Sequence, residues 1–325
     1  MAAKLNIEIL IKMLNERVEM SFSSQVKEEL KNKIDTAKHC QIAELAAIMA
    51  FCANTCNQWE EFCITTENNI VADVFIQLIK YIFNVSDNDI ILKYEGKKNN
   101  IITIKIKDKS IAEKILMAIK WNDSERKMLN NSLLVQKECC KRAFIRGAFL
   151  AAGSISDPNK SYHYEIVCAN QTDAIQLKEM LAFFELDAKV IARKNNFITY
   201  IKEGNHITDC LNVMGAFVSQ MDLYNVMILK GMRNDVNRKV NCETANINKT
   251  VEAAVKQIKD IEYIKDTVGL CYLKEPLYNV AVIRLENPDM NLKDIGERLS
   301  PPVGKSGVNH RLRKISDIAQ ALRKQ

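Results

Sequence analysis

The chain has 325 residues, 47% apolar and 26% charged, with a formal net charge of +6. That length allows two or three domains with their own cores, and the composition is that of a folded protein rather than a disordered or fibrous one. No apolar run approaches the roughly 20 residues that a bilayer-spanning helix needs, so a membrane partner is not expected. Met1 to Glu19 alternates apolar and charged residues, and Glu8, Glu16 and Glu19 interrupt it. No small-residue cleavage site follows, which predicts an amphipathic helix rather than a signal peptide.

The body carries a duplication with a period near one hundred residues, each copy running helix, strand, helix, strand, strand, helix. In the first copy Ile42–Cys52 is a helix, Phe62–Thr66 a strand and Val71–Phe83 a helix. Ile90–Tyr94 and Ile101–Ile106 form a hairpin across Gly96–Asn100, and Ile111–Ile119 closes the unit. In the second copy Arg142–Ala152, Tyr162–Val167 and Thr172–Phe184 repeat the order. Lys189–Ala192 and Phe197–Ile201 form the second hairpin across Arg193–Asn196, and His206–Met214 closes it. Ala43, Ala46, Ala47 and Ala50 share one helix face, and Ala143, Gly147, Ala148 and Ala151 share the equivalent face. Small side chains let two helix backbones approach closely, so the copies are expected to meet along these faces.

Residues 233–250 are rich in asparagine and carry Arg238, Lys239 and Lys249. Two readings stand open: a polar connector whose asparagines make turns and caps, or an arm that contacts the nucleic-acid backbone. The charge excess begins here. Residues 226–325 hold 18 Lys and Arg against 12 Asp and Glu, while the preceding 225 residues are balanced at 28 of each. A neutral body with a basic end fits a polyanion partner for that end.

Val251, Ala254, Ile258, Ile261 and Ile264 mark one helix, and Leu277, Val280, Ala281 and Leu285 another. Asn291 is placed to cap a third, with the apolar face Leu292, Ile295 and Leu299. Ser300-Pro301-Pro302 stops that helix. Ser306 is the expected N-cap of a fourth, whose buried stripe is Val308, Leu312, Ile315, Ala319 and Leu322. His310, Arg313 and Lys314 point away from the stripe, and Asn309 and Arg311 flank it. Two short helices about a turn, the second with a basic first turn, make a helix-turn-helix. Its groove contacts are assigned to Lys305, Ser306, Gly307, Asn309, His310, Arg311, Arg313 and Lys314, with Arg238, Lys239 and Lys249 as phosphate contacts from the connector. Arg and Asn pair with guanine and adenine edges, and Lys and Ser suit phosphates.

The ten cysteines include no Cys-x-x-Cys pair, and the four histidines are far apart in sequence. Free buried thiols in a reducing cytoplasm are expected, with no disulfide, no metal and no cofactor.

Three long motifs, in order, resemble the WhiA family: Phe144 to Asn159, Asn241 to Thr250, and Pro301 to Ile315. The resemblance runs from Met20 nearly to the end and leaves residues 1–19 as an extension. It implies an α+β fold of two pseudo-symmetric repeats of the LAGLIDADG homing-endonuclease type (20–125 and 126–222), a linker (223–248) and a small all-α helix-turn-helix domain (249–325). It also implies a role in transcription, cell division, chromosome segregation and sporulation in Gram-positive bacteria and their relatives, with double-stranded DNA as partner and a cytoplasmic, nucleoid-associated location. Working LAGLIDADG enzymes hold divalent metal on acidic residues at the ends of the two central helices, since Mg²⁺ demands carboxylate oxygen. Those positions fall here at about Cys52 and Ala152, neither of which binds Mg²⁺. Asp157 lies in a Ser-Asp-Pro-Asn turn, and nothing acidic follows the first helix until Glu60. The expectation is therefore no catalytic residue and a non-enzymatic regulator. The alternatives are a metal-dependent nuclease and a scaffold that binds protein partners through the LAGLIDADG-like body.

Overall fold

Small residues on two helices set the architecture of the first half. The structure is a computed structural model that describes residues 20–52, 63–96, 101–120 and 133–324. These form two compact units that divide between Lys230 and Gly231. In the first unit, α1 (Phe22–Lys31) begins at Ser21, whose Oγ accepts from the Ser24 amide at 3.2 Å. Helix α2 (Lys38–Phe51) is buried nearly all round, as expected of a helix inside a core. It packs on α5 (Glu138–Ala152) along the two predicted seams. A Cβ on Gly147 would lie 2.5 Å from the Glu44 carbonyl oxygen and 3.0 Å from the Ala47 Cβ, so this crossing accepts only glycine.

Each copy adds a sheet to its central helix. The first has β1 (Cys63–Thr66), α3 (Asn69–Phe83), β2 (Ile90–Glu95), β3 (Ile101–Ile106) and α4 (Lys109–Ala118), with antiparallel order β1-β3-β2. The register pairs Thr65 with Thr103 and Ile90 with Ile106. The second has β4 (Gly153–Ile155), β5 (Tyr164–Cys168), α6 (Gln171–Ala182), β6 (Lys189–Arg193), β7 (Asn196–Ile201) and α7 (Gly204–Met214), in the order β4-β5-β7-β6. Ile102, Ile104 and Ile106 of the first sheet and Tyr164, Ile166 and Cys168 of the second alternate into one shared core. Strand β4 was not expected, because three residues are too short to show a period. The second hairpin turns at Lys194, which takes φ 55°. The first turn beyond Gly96, the 1–19 extension and Glu60 lie outside the described residues.

The 223–248 linker, and with it the asparagine-rich 233–250 read as a turn-forming connector or as an arm, is helical: both lie within α8 (Phe217–Thr267), which also contains the 251–264 stripe. Asparagine costs a helix only a few tenths of a kcal/mol. The stretch holds no proline, and a Cβ at its one glycine, Gly231, would meet nothing within 4 Å. The start of α8 is fixed by Glu29 of α1, whose carboxylate accepts from the Val218 and Ser219 amides at 2.7 and 2.9 Å. In the second unit the end of α8 packs with α9 (Glu275–Glu286), α10 (Leu292–Arg298) and α11 (Lys305–Arg323) around Ile261, Val280, Ile295, Leu312 and Ile315.

The thiol expectation needs two corrections. Cys63 is disulfide-bonded, since a bridge needs only two sulfurs about 2 Å apart and no motif spacing. Cys139, Cys242 and Cys271 are free but exposed. No described helix is long and apolar enough to cross a membrane.

Candidate nucleic-acid interface

The helix-turn-helix is built from α10, the turn at Leu299–Gly304 and α11. Asn291 caps α10: its Oδ1 accepts from the Lys293 and Asp294 amides at 3.0 and 3.1 Å, and its Nδ2 donates to Asp294 at 2.7 Å. The approach to this cap is held by buried Arg284, whose guanidinium donates to the Pro288 and Met290 carbonyls at 3.2 and 2.6 Å. After the helix the chain folds back so closely that the Val303 amide donates to the Gly296 carbonyl at 2.9 Å. A Cβ on Gly296 would lie 1.9 Å from the Val303 carbonyl oxygen, and one on Gly307 would lie 2.4 Å from Val303 Cγ1. Two glycines thus allow the turn to nest between its helices.

The start of α11 differs from the sequence expectation. Gly304, not Ser306, is the N-cap, and no side chain bonds the first-turn amides. Ser306 sits one residue into the helix and is exposed. The reason is steric: close packing of Val303 on Gly296 and Gly307 pulls the helix start forward by two residues. An uncapped N-terminus presents amides and a positive dipole end, which suits a phosphate.

Val308, Leu312, Ile315 and Ala319 are buried, as the stripe required. Lys305, Ser306, His310, Arg313 and Lys314 are exposed, and Gly307, Asn309 and Arg311 are half-buried at the edges. None of the side chains of Lys305, Ser306, Asn309, His310, Arg311, Arg313 and Lys314 has a hydrogen bond or ion pair to another described residue. Beside the start of α11 is a hollow of about 680 Å³, whose walls include Lys249 of α8, Lys293, Lys305 and Asn309. It brings one connector residue to the start of the reading helix. Arg238 and Lys239 lie on α8 some 15 Å further along its axis, at 1.5 Å per residue, and Arg238 pairs with Asp235 at 3.5 Å.

The two helix-end positions at which the resemblance would put a metal hold no carboxylate. Cys52 is a buried thiol, pushed up to about 12 by burial, and Ala152 offers no ligand. Lys27 of α1 lies near Cys52, and its Nζ is 5.7 Å from the centre of the Phe149 ring. Burial lowers the Lys27 ammonium to about 8. Asp157 is tied into its turn by the Asn159 amide at 2.9 Å, which lowers its carboxyl.

Sequence spacing missed two clusters in the first unit. Arg146 is buried and makes a two-pronged pair with Glu44, both bonds 2.9 Å, while also donating to Asp35 and to the Met214 carbonyl. Burial alone would lower its guanidinium, but Glu44 and Asp35 outweigh that and raise it. A lone charge inside each apolar seam was the available signal. The second cluster corrects the expectation of scattered ligands: His39, Cys40, Cys139 and Cys140 place their ligand atoms within 4.8 Å of one another. Their separation in sequence hid this, because the helix pairing that joins them is tertiary.

Two family models match the chain. The WhiA LAGLIDADG-like domain covers residues 141–233, and the WhiA C-terminal HTH domain covers 236–319. A relative from Lachnospira eligens, named probable cell division protein WhiA, is 57% identical over 94% of this chain and 98% of its own. A protein of the same name from Lachnoclostridium phytofermentans is 45% identical over 94% of this chain and 100% of its own. The crystal structure of full-length DUF199/WhiA from Thermatoga maritima is similar with a TM-score of 0.58 at 26% identity, covering 93% of this chain and 99% of that one.

Proposed function

The chain belongs to the WhiA family, and from that premise we propose that it is a sequence-specific, non-enzymatic DNA-binding regulator acting in cell division at the nucleoid. The observation that carries this reading is the outer side of α11. Its basic and polar side chains face solvent without described partners, while its other side is locked into a core. Arg311 and Arg313 read base edges, Asn309 and His310 assist, and Lys305, Ser306, Gly307 and Lys314 hold phosphates. Lys249 adds a phosphate contact from α8, and Arg238 and Lys239 extend that line. The name that the relatives share supports the cell-division role, and transcription and sporulation are the family-level setting carried over from the motifs.

Fluorescence anisotropy with duplex DNA across a salt series tests the proposal. Arg311→Ala with Arg313→Ala is expected to weaken binding at least tenfold. Lys305→Ala is expected to weaken binding to all sequences alike and to flatten the log–log salt slope by about 1. Unchanged affinity in the double arginine variant would remove α11 from the account. Supercoiled plasmid with Mg²⁺ or Mn²⁺ is expected to stay intact, since a thiol, an alanine and a neighbouring ammonium stand where carboxylates are needed. Cleavage lost in Asp157→Asn would overturn that part.

A further inference from the structure

The two central helices begin alike. Helix α2 carries His39 and Cys40 as its second and third residues, and α5 carries Cys139 and Cys140 as its second and third. The same crossing that seats Gly147 against Glu44 brings these four side chains together. His39 Nδ1 lies 3.2 Å from Cys140 Sγ, 3.3 Å from Cys40 Sγ and 4.0 Å from Cys139 Sγ. A tetrahedral zinc site with Zn–S near 2.3 Å and Zn–N near 2.1 Å has N···S separations of about 3.6 Å and S···S of about 3.8 Å. The three observed separations bracket that value, and all four ligand atoms lie within 4.8 Å.

We propose that His39, Cys40, Cys139 and Cys140 form a Cys₃His site for one thiophilic dication, zinc by its ligand set. Three sulfurs and an imidazole nitrogen select zinc over Mg²⁺ or Ca²⁺. Cys40 and Cys140 are buried over Ala37, Ala43 and Ala143, and His39 and Cys139 are exposed, which leaves an entry path. With three thiolates bound, the site carries a net charge of −1. It lies at two helix N-termini, neither of which has a side-chain cap, and both favour negative charge. The site is about 18 Å along α2 from Cys52, at 1.5 Å per residue. It is therefore not the metal position of the endonuclease fold. Its effect is to clamp the starts of the two copies together, a structural role that leaves the DNA-reading proposal independent of it.

The test uses the full chain purified under reducing conditions. Elemental analysis after dialysis is expected to give about one zinc per chain. Exchange with Co²⁺ is expected to give thiolate-to-cobalt charge transfer in the near ultraviolet and tetrahedral visible bands. Cys139→Ser, at an exposed position, and His39→Ala should each lower zinc affinity at least tenfold in a chelator competition. His39→Cys should retain the metal with a shifted cobalt spectrum, and Cys210→Ser should behave as the parent chain. If a ligand variant fails to fold, Co²⁺ titration of the metal-stripped parent chain still reads stoichiometry and geometry. A parent chain with under about a tenth of an equivalent of any thiophilic metal overturns the proposal. So does undiminished binding in the Cys139→Ser His39→Ala double variant, or a disulfide within the four under reducing conditions.

Discussion

Replacing Arg146 with methionine tests whether the seam between the two copies depends on its buried charge pair. Arg146 is 3% exposed and Glu44 is fully buried. Methionine fills most of the volume but removes both 2.9 Å bonds to Glu44 and leaves that carboxylate with no countercharge. Breaking one side of such a pair costs about 3–5 kcal/mol. The bond to Asp35 adds little, since that carboxylate is 37% exposed. Urea unfolding should therefore show Arg146→Met less stable by about 3–5 kcal/mol at pH 7. Adding Glu44→Leu should recover most of this, because the stranded charge is gone; the lost bond to the Met214 carbonyl is common to both variants and cancels. Burial raises the Glu44 carboxyl even in the parent chain, against the pull of Arg146. In Arg146→Met the folded value rises further, so the folded state takes up a proton that the unfolded state does not hold. The deficit is then full above the folded pKa and shrinks as pH falls towards the unfolded value near 4.3. A loss under 1 kcal/mol, or a double variant no more stable than the single one, refutes the reasoning.

Gly296→Ala should abolish DNA binding while the first unit still unfolds as in the parent chain, because its Cβ would lie 1.9 Å from the Val303 carbonyl oxygen; gel shift and calorimetry read the two effects. Asn291→Ala should cost about 1 kcal/mol, measured by denaturant unfolding of the second unit, since it strips two amide bonds from the start of α10. Lys27→Met should stabilise the chain by about 1–2 kcal/mol at pH 7 once water access is discounted. The folded ammonium titrates at about 8 and the unfolded one near 10.4, so the parent chain gains stability as pH rises through that window. The advantage of the variant should fade between pH 8 and 10; an advantage independent of pH would show that burial of the charge is not its source.

Periodic features were readable in the sequence. Ala43, Ala47 and Gly147 announced a helix crossing because small residues at helical spacing have few other uses in an amphipathic stretch. Val308, Leu312 and Ile315 announced the buried side of α11 for the same reason, and so placed Arg313 and Lys314 outside. What was illegible depends on contacts between distant segments. The start of α11 was misplaced at Ser306 because capping rules are local, whereas Val303 packing against Gly296 and Gly307 decides it. The reading of 233–250 as turns gave asparagine too much weight against the absence of proline. The pairing of Glu44 with Arg146, 102 residues apart, and of His39 with Cys140, 101 apart, exists only once the copies dock.

The seam and the helix ends of the LAGLIDADG-like body follow different physical demands. The seam is constrained at every turn: a methyl group at Gly147 already collides with the opposite backbone, so any chain with this crossing must keep it. Metal-binding carboxylates at the helix ends have no such packing role. Two acids close together repel and are costly to bury without a cation between them. An apolar residue at such a helix end carries no such cost. Cys52 is buried at one end and Ala152 half-buried at the other. Lys27 then brings positive charge from within the chain, with its Nζ 5.7 Å from the centre of the Phe149 ring. An ammonium there opposes a divalent ion but still attracts phosphate, which would suit a duplex-facing role for this body. Measuring DNA affinity of Lys27→Met beside its stability separates the two consequences: a more stable variant with weaker binding would place Lys27 on the duplex, and a more stable variant with unchanged binding would confine recognition to the second unit.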